Sequence, residues 1–173
     1  MKTRRLYLAN LFSAILPSRA NQFKSRLYRW AGVKVGNNVS FFQGARILGE
    51  GEVIIGDNVF IGLNATIMTN KGSKVIVEDY GMVGHMSVIV TGFHPITPEG
   101  PRIIGFEGTT STVVIKQGAS LGVRAILLPG KTLGRMSHAA AGSIVTHDVE
   151  EFTRVAGVPA RVIRNFKEGI KDD

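Results

Sequence analysis

A hexapeptide pattern of aliphatic and small residues recurs along most of this chain. Each copy has an aliphatic residue at its first position, usually glycine at its second and a small residue at its fifth, as in residues 55–60, 61–66 and 121–126. Because six residues have room for one short strand and one corner, three copies close a triangular coil of about 18 residues. The pattern therefore predicts an all-β domain, a parallel β-helix that spans residues 35–155.

The first positions of the repeats are expected to face inward and to stack on their counterparts in neighbouring coils, about 4.8 Å away. The register slips near Val53 and over residues 70–74, and residues 91–112 break it. Asparagine and aspartate, which tolerate left-handed backbone, occupy several corners. These corner residues are Asn37, Asn38, Asp57, Asn58 and Asn64. The inward first positions are Val35, Phe41, Ile47, Ile55, Ile61, Ile67, Val77, Val83, Ile89, Ile115, Leu121, Leu127, Leu133, Ala139 and Val145.

Three segments do not follow the repeat. In residues 1–34, apolar residues recur at helical spacing, which predicts an amphipathic helical arm. Prolines and glycines in residues 91–112 predict a protruding loop. Residues 156–173 are expected to end the chain with a short helix. The apolar residues of the arm are Leu8, Leu11, Phe12, Ile15 and Leu16, followed after Pro17 by Phe23, Leu27 and Trp30.

The net charge of +8 is concentrated in the arm. Of 21 basic and 13 acidic residues in the 173-residue chain, eight basic residues and no acidic ones lie in residues 1–34, so the remainder is neutral. A secretory signal is one interpretation, although Asn10 and Ser13 interrupt its apolar stretch. The others are a helical cap on the open end of the coil and an interfacial helix on an anionic membrane. We favour capping and membrane contact together.

Composition excludes several classes of function. The chain has no cysteine, which rules out a disulfide framework, a thiolate metal site and a cysteine nucleophile. It has no run of 18 apolar residues that could span a membrane as a helix. Nucleic acid is not an expected partner, because the basic arm lacks a recognised fold and Trp30 alone offers little stacking surface. We expect a cytoplasmic protein with peripheral contact to the inner face of the membrane.

The loop supplies the main candidate for chemistry. His94 lies at its start, directly after the aliphatic side Ile89 and Val90, so a rigid coil should hold it. Histidine has an ordinary pKa of about 6.5 and can accept a proton at neutral pH and return it. His85 lies at an outward corner and His138 at an outward side position, where solvated roles are more common.

Three stretches carry a family resemblance. They are T-G-F-H-P-I-T-P from Thr91, L-G-V-R-A-I-L-L-P-G from Leu121, and A-A-A-G-S-I-V-T from Ala139, which leads to A-G-V-P-A-R-V-I-R. Together they resemble the hexapeptide-repeat acetyltransferases of the maltose, galactoside and polysaccharide O-acetyltransferase group. The resemblance implies a left-handed coil, a homotrimer and acetyl-CoA as co-substrate. Gamma-type carbonic anhydrases share this coil, but their close His-x4-His zinc pair is absent, so no metal is expected.

The resemblance also implies roles for individual residues. His94 would deprotonate a sugar hydroxyl, the amide of Val123 would stabilise the oxyanion, and Glu107 or Glu99 would orient His94. Substrate contacts are expected from Asn64, His85 and Arg102. Coenzyme A contacts are expected from Gly122, Ala141, Thr146 and His147 along the pantetheine arm, and from Arg161 and Arg164 at the phosphates.

The sequence thus predicts an acetyl-CoA-dependent O-acetyltransferase that acts on a saccharide acceptor. Its basic arm is similar to that of members associated with lipopolysaccharide, capsule and exopolysaccharide synthesis. N-acetylation of an amino sugar and a non-catalytic β-helix scaffold are the alternatives. Ser120 stands where sugar acetyltransferases often have tryptophan, and an expected aspartate is missing near Thr69. We therefore expect acceptor recognition to differ from the small-sugar enzymes, with a larger or lipid-linked glycan as acceptor.

Overall fold

The computed structural model describes residues 2–94 and 108–167, which form two helices followed by short strands. The helices are α1 (Lys2–Ile15) and α2 (Asn21–Trp30). Sheet 1 contains β1 (Lys34–Val35), β4 (Glu52–Ile55), β7 (Lys74–Val77), β12 (Thr112–Ile115) and β15 (Thr132–Leu133). Sheet 2 contains β2 (Ser40–Phe41), β5 (Phe60–Ile61), β8 (Met82–Val83), β13 (Ser120–Leu121), β16 (His138–Ala139), β18 (Thr153–Ala156) and β19 (Arg161–Asn165). Sheet 3 contains β3 (Arg46–Gly49), β6 (Thr66–Thr69), β9 (Val88–Val90), β14 (Ile126–Leu127) and β17 (Ile144–Val145).

The chain visits the three sheets in turn, so each circuit adds one parallel strand to every face of a triangular prism. Ile55 pairs with Val77 in sheet 1, Ile61 with Val83 in sheet 2 and Ile67 with Ile89 in sheet 3. These pairs join the first positions of successive repeats, as the period requires. The predicted fold class, a left-handed parallel β-helix with an N-terminal helical arm, is confirmed.

The interior of the prism is the predicted aliphatic stack. From Phe41 to Val145, every first-position residue is at most 2% exposed, and only Val35 at the open end is half-buried. Small fifth-position residues such as Ala45, Ala65 and Ala125 are fully buried beside them. Side chains of one coil therefore pack on those of the next along the whole axis.

Glycine at the second position is explained by the closeness of the next coil. A Cβ atom on Gly62 would lie 2.5 Å from the backbone nitrogen of His85, and one on Gly84 would lie 2.5 Å from the carbonyl oxygen of Leu121. The same contact for Gly122 is 2.6 Å to the carbonyl oxygen of Ala139. Since backbone atoms of a packed coil cannot move aside, a side chain is excluded there.

Helices α1 and α2 close the open end of the first coil by hydrogen bonding to its free backbone groups. The side chain of Asn10 donates to the carbonyl oxygen of Ile47 at 2.8 Å and accepts from the Ile47 N–H at 3.0 Å. The hydroxyl groups of Tyr28 and Ser13 both donate to the carbonyl oxygen of Ala45, at 2.8 and 3.0 Å. The predicted capping role of the arm is therefore built from polar side chains, which satisfy an otherwise exposed strand edge.

Two ionisable groups of this cap are buried. Lys24 is fully buried, donates from Nζ to the carbonyl oxygen of Phe41 at 3.0 Å, and has its pKa lowered by desolvation. Burial raises the pKa of Tyr28 to about 12. Both pKa shifts favour the neutral form of the side chain, as expected for ionisable groups that are buried away from water.

The side of α1 that faces the coil carries Asn10 and Ser13 together with Leu6 and Ala9, so its larger apolar stripe faces outward. Leu6, Ala9 and Ser13 are at most 3% exposed, whereas Leu11 is 45% and Ile15 is 67% exposed. The apolar periodicity identified the helix correctly, but the apolar stripe is not the surface that caps the coil. Within the described residues, no helix combines the length and apolar character needed to cross a bilayer.

The C-terminal segment differs from expectation. Residues Arg161–Asn165, predicted as part of a helix, form strand β19, which pairs antiparallel with β18. The last coil leaves an unpaired strand edge, and a returning strand satisfies that edge where a helix would not. The helix prediction is therefore wrong for residues 161–165, and residues 168–173 lie outside the described part of the chain.

The interruption predicted at residues 91–112 begins as a short hairpin. Strand β10 (Gly92–Phe93) pairs antiparallel with β11 (Thr109–Thr110), and the coil resumes with β12 at Thr112. Residues 95–107, the rest of the predicted loop, are outside the described residues.

Replacing Asn10 tests the cap. Asn10→Ala leaves both the N–H and the carbonyl of Ile47 without a partner, and unpaired buried groups each cost about 1–3 kcal/mol. We expect the free energy of unfolding to fall by about 2 kcal/mol, measured by guanidinium denaturation at fixed protein concentration. The control is Gln22→Ala, which removes an exposed side chain of α2 and should change stability by less than about 0.5 kcal/mol. Equal stabilities for the two variants would contradict this account of the cap.

Candidate active site

Sheets 2 and 3 meet at a column of tight turns, which we call the second edge. In each turn the N–H of the fourth residue donates to the carbonyl of the first, as from Ala65 to Gly62 and from Ala125 to Gly122, both at 3.1 Å. The third residue has left-handed backbone, with φ of 52° at Asn64 and 56° at Arg124. These turns comprise residues 42–45, 62–65, 84–87, 122–125 and 140–143.

The second residue of each turn directs its N–H along the prism axis, toward the side chain at the same position one coil above. The N–H of Leu63 donates to Nδ1 of His85 at 2.8 Å. Corresponding bonds on the edge between sheets 1 and 2 run from Asn37 to Asp57 at 2.6 Å and from Asp57 to Asp79 at 2.8 Å. A corner N–H is therefore satisfied by an acceptor on the residue above it, or by one from another segment, as where the N–H of Gln43 donates to Ser18 at 3.2 Å and that of Gln117 to Glu78 at 2.9 Å.

Val123 lacks such a partner. The residue above it is Ala141, whose methyl group cannot accept a hydrogen bond, and within residues 2–94 and 108–167 nothing accepts from the Val123 N–H. Val123 is 40% exposed. The second edge therefore presents an unpaired backbone donor at the position predicted to stabilise an oxyanion.

The neighbouring cofactor candidates on this edge differ in what they offer. Gly122 is buried, donates its N–H to Ala139 at 2.8 Å and accepts from Ala125. Ala141 is exposed, and in the described part of the chain its N–H also lacks an acceptor. Backbone contact with an extended ligand is thus more available at Ala141 than at Gly122.

His85 is held by its surroundings. Its ring accepts from Leu63 and packs edge-on against Phe42 and Phe60, with centroid distances of 5.5 and 5.4 Å. It is half-buried on the second edge, between Asn64 and Val123. Positioning of the turn below it is therefore the role that its contacts support directly.

Asn64 lies beside a pocket that sequence reasoning missed. The pocket has a volume of about 330 Å³, and its lining includes Asn64, Arg46 and four residues of α1, which are Tyr7, Asn10, Leu11 and Ala14. The Oδ1 atom of Asn64 lies over Gly44, where an added Cβ atom would be only 2.0 Å away. The periodicity of α1 could have indicated an exposed stripe, but nothing in it placed that stripe next to Asn64.

His94 lies on the edge between sheets 3 and 1, which we call the third edge, at the end of β10. The root of its hairpin is fixed by buried Thr91, whose hydroxyl donates to Ser73 at 2.7 Å and accepts from the N–H of Asn70 at 3.1 Å. The His94 side chain is exposed. A Cβ atom on Gly108 would lie 3.2 Å from Cε1 of His94, so the backbone of Gly108 lies against the imidazole ring. That contact was not foreseen from the sequence.

The remaining cofactor candidates lie near the C-terminal end of the prism. Thr146 and His147 follow β17 on the third edge, and the Thr146 hydroxyl lies 2.9 Å from Nδ1 of His147. His147 and Arg161 line one pocket of about 350 Å³. Arg164 instead stacks over Phe166, 4.9 Å from the ring centroid, opposite Arg154. The structure therefore groups Arg161 with His147 but separates Arg164 from them.

His138 stands apart from both edges. It lies on the outward face of sheet 2, where its Nδ1 contacts the hydroxyl of Ser120. Partial burial, and then the nearby charge of Arg154, lower its pKa.

Three other candidates cannot be placed, because Arg102, Glu99 and Glu107 lie outside the described residues. Among the residues that are described, no group of three histidine or acidic side chains could hold a metal ion.

The site candidates thus divide between two edges of one chain. Asn64, His85 and Val123 lie on the second edge, whereas His94 and His147 lie on the third. Sheet 3 separates these edges, and its outward face is apolar apart from Arg46 and Thr66. That face carries Leu48, Met68, Val88, Val90, Ile126 and Ile144.

Several solved structures of acetyltransferases are similar to this chain. A hexapeptide-repeat acetyltransferase from Vibrio cholerae, solved in complex with acetyl-CoA, matches with a TM-score of 0.78 at 23% identity and covers 95% of this chain and 86% of that one. No family model matches the chain. The structural likeness establishes the shared left-handed β-helix.

Proteins of similar sequence are acetyltransferases. A provisionally assigned acetyltransferase from Saccharomyces cerevisiae is 34% identical over 116 residues, 67% of this chain and 57% of that protein. Galactoside O-acetyltransferase from Escherichia coli is 32% identical over 114 residues, 66% of this chain and 54% of that enzyme. A tetrahydropyridine-dicarboxylate N-acetyltransferase from Staphylococcus aureus is 42% identical over 60 residues, 35% of this chain and 25% of that enzyme.

The chain spans little more than half the length of the first two relatives. It is a relative of the hexapeptide-repeat acetyltransferases, and the resemblance seen in its sequence motifs is confirmed.

The His85 contact predicts one tautomer. Because the Leu63 N–H donates to Nδ1, neutral His85 must carry its ring proton on Nε2. We expect nitrogen-15 NMR at alkaline pH to show the Nε2–H form. Leu63→Pro removes the donor from the turn and should relax this preference. A dominant Nδ1–H form in the unsubstituted protein would contradict the geometry.

Proposed function

We propose that this protein is an acetyl-CoA-dependent O-acetyltransferase that acetylates a sugar hydroxyl during synthesis of a surface polysaccharide such as lipopolysaccharide, capsule or exopolysaccharide. The observation that carries the proposal is the unpaired N–H of Val123 on an exposed edge. Acyl transfer develops negative charge on the carbonyl oxygen, and a fixed backbone donor stabilises that charge. The relatives named above support the same reaction class.

The reaction needs a base as well as a donor. His94 takes the proton of the acceptor hydroxyl while the oxygen of that hydroxyl forms a bond to the thioester carbon. The resulting tetrahedral intermediate places its oxyanion at the Val123 N–H. When the carbon–sulfur bond breaks, the thiolate of coenzyme A leaves and receives the proton from His94. The acetyl group ends on the sugar, and no oxidant or metal is needed to balance the step.

The separation of His94 from Val123 within one chain supports a homotrimer. The third edge of one subunit can meet the second edge of the next, and three such contacts close a ring. The apolar outward face of sheet 3 lies between these edges and would be covered by the contact. Each cleft then receives His94, Thr146 and His147 from one subunit and Val123 and Ala141 from its neighbour.

Coenzyme A would lie along this cleft. Its pantetheine amides match the free N–H of Ala141 and the region of half-buried Thr146 and exposed His147, and its phosphates match Arg161. Arg164, which stacks on Phe166, would reach the phosphates only by leaving that ring. The acceptor would approach past Asn64 and the pocket beside α1, with His85 supporting the intervening turn. Arg102 and Glu107, outside the described residues, remain proposed contacts to the acceptor and to His94.

His94 is tested by thiol release from acetyl-CoA with a panel of saccharides. We expect His94→Ala to lower kcat by about 10²–10⁴-fold, because general bases contribute that much, with little change in KM for acetyl-CoA. His138→Ala, at a histidine outside both edges, is the matched control and should retain activity. Acceptor-dependent turnover that survives His94→Ala would remove the base from the mechanism and favour a β-helix scaffold without this chemistry.

Val123→Pro tests the oxyanion donor without changing the turn. Arg124 has φ of 56°, as the third residue of a type II turn requires, and proline is favoured at the second residue of such turns. The substitution therefore deletes mainly the free N–H, and we expect kcat to fall about 100-fold.

Two controls accompany this test. Val123→Ala keeps the N–H and should stay near the unsubstituted rate. Arg135→Pro places proline at the same turn position on another edge, where Met136 has φ of 55°. If both proline variants lose activity equally, or if Val123→Pro is fully active, the proposed role of this amide is wrong.

N-acetylation is a second candidate, because an N-acetyltransferase is among the sequence relatives. Supplying matched amino sugars and their hydroxyl counterparts in the same assay decides between them. Transfer only to the amine would establish the second candidate.

A further inference from the structure

Helix α1 presents a continuous apolar surface to its surroundings. Its members are 42–69% exposed, although α1 is packed on the coil by its other side. We call this surface the α1 apolar face. It consists of Tyr7, Leu8, Leu11, Phe12 and Ile15.

The orientation of α1 is fixed by the cap. Asn10 and Ser13 must face the first coil to satisfy the backbone groups of Ile47 and Ala45. Rotating the helix to bury Leu11 and Ile15 would break those bonds and leave buried polar groups unpaired. The outward position of the apolar face is therefore required by the fold.

The charged residues around the α1 apolar face are all basic. No acidic residue precedes Glu50, and the exposed arginines Arg4, Arg19 and Arg26 accompany the two helices. In the part of the chain that the structure describes, every ion pair uses Glu52 or Glu151, and none involves an arginine of α1 or α2. These arginines remain available to an external anionic surface.

Helix α2 adds exposed aromatic residues to this basic, apolar surface. Phe23 is 50% and Trp30 is 48% exposed. The guanidinium group of Arg5 lies 5.3 Å from the centroid of the Trp30 ring. Exposed aromatic rings beside arginine suit the boundary between lipid headgroups and acyl chains, where one side of a ring is apolar and the other is wet.

We propose that the α1 apolar face docks this protein on a bilayer that contains anionic phospholipid. Apolar side chains would enter the headgroup boundary while the arginines contact lipid phosphates. A second copy of the chain would bring an equally basic arm to the same surface, which opposes self-association there. Charge complementarity thus selects the lipid surface as the occupant.

Docking would bring the membrane next to the acceptor pocket. Tyr7 and Leu11 belong to the α1 apolar face and also line the pocket that contains Asn64. An acceptor whose sugar is attached to a membrane lipid could then reach Asn64 without leaving the bilayer. This assignment of a lipid-linked acceptor rests on the proposed acetyl transfer, whereas docking itself does not.

Vesicle flotation of the full chain tests docking. We expect the protein to float with vesicles of phosphatidylglycerol and phosphatidylethanolamine at low salt, and to bind phosphatidylcholine vesicles much more weakly. Phe12→Gln combined with Ile15→Gln should weaken binding by about tenfold or more, since each exposed apolar side chain loses its burial in lipid. Arg4→Gln combined with Arg19→Gln should weaken it by roughly thirtyfold.

Tyr80→Asn is the matched control, because Tyr80 is 62% exposed and lies on the coil, away from the helices. Its φ of 59° also suits asparagine. This variant should float like the unsubstituted protein. Circular dichroism and molar mass in solution are measured for every variant, so that a folding defect is not mistaken for lost docking.

Three outcomes would overturn the proposal. They are failure of the unsubstituted protein to float with anionic vesicles, unchanged flotation of Phe12→Gln/Ile15→Gln, and a change of subunit number in that variant, which would show a second copy on the face. His94→Ala should still float, which separates docking from catalysis. If flotation fails while soluble saccharides are still acetylated, docking is wrong and the proposed function stands.

Discussion

The structure depends on one directional constraint, the hydrogen-bond ladder that runs parallel to the prism axis. The backbone donors and acceptors of each coil bond to those of the next coil. Strand edges without such partners therefore occur at the two ends of the prism. At the N-terminal end, Asn10, Ser13 and Tyr28 bond to the free groups of the first coil. At the other end, β19 pairs with β18. Placement of both terminal segments follows from the need to satisfy these edges.

The same ladder explains how a nearly uniform coil produces a distinct site. On the second edge, the N–H of Leu63 points along the axis and bonds to the side chain one coil above, so the residue at that position can decide whether a corner N–H is satisfied. The ring of His85 accepts a hydrogen bond from the Leu63 N–H, whereas the methyl group of Ala141 cannot accept one from the Val123 N–H. The candidate donor therefore arises from the smallness of a neighbouring side chain. The hairpin that carries His94 is fixed by the same coil through Thr91.

Most of the coil could be predicted because its period is local and repetitive. First-position aliphatics such as Ile61 and Leu121 are buried as expected, and glycine is required where the next coil approaches. The orientation of α1 could not be read from periodicity, since hydrogen bonding by Asn10 decided which side faced the coil. Strand β19 was missed because it lies outside the hexapeptide repeat and forms only against the free edge that the nearby strand β18 leaves in sheet 2. His94 and Val123 were identifiable from motifs, but the contact of Gly108 with His94 depends on hairpin closure.

Strand β19 also covers the C-terminal edge of sheet 2. Exposed parallel edges template the addition of identical strands, which is how fibrils grow. Because β19 runs against the direction of the coils and carries Arg161 and Arg164, another prism cannot continue the register from it. A chain truncated before Ala160 would expose β18 as a ready template. The returning strand thus removes, from sheet 2, the edge on which end-to-end strand addition would otherwise begin.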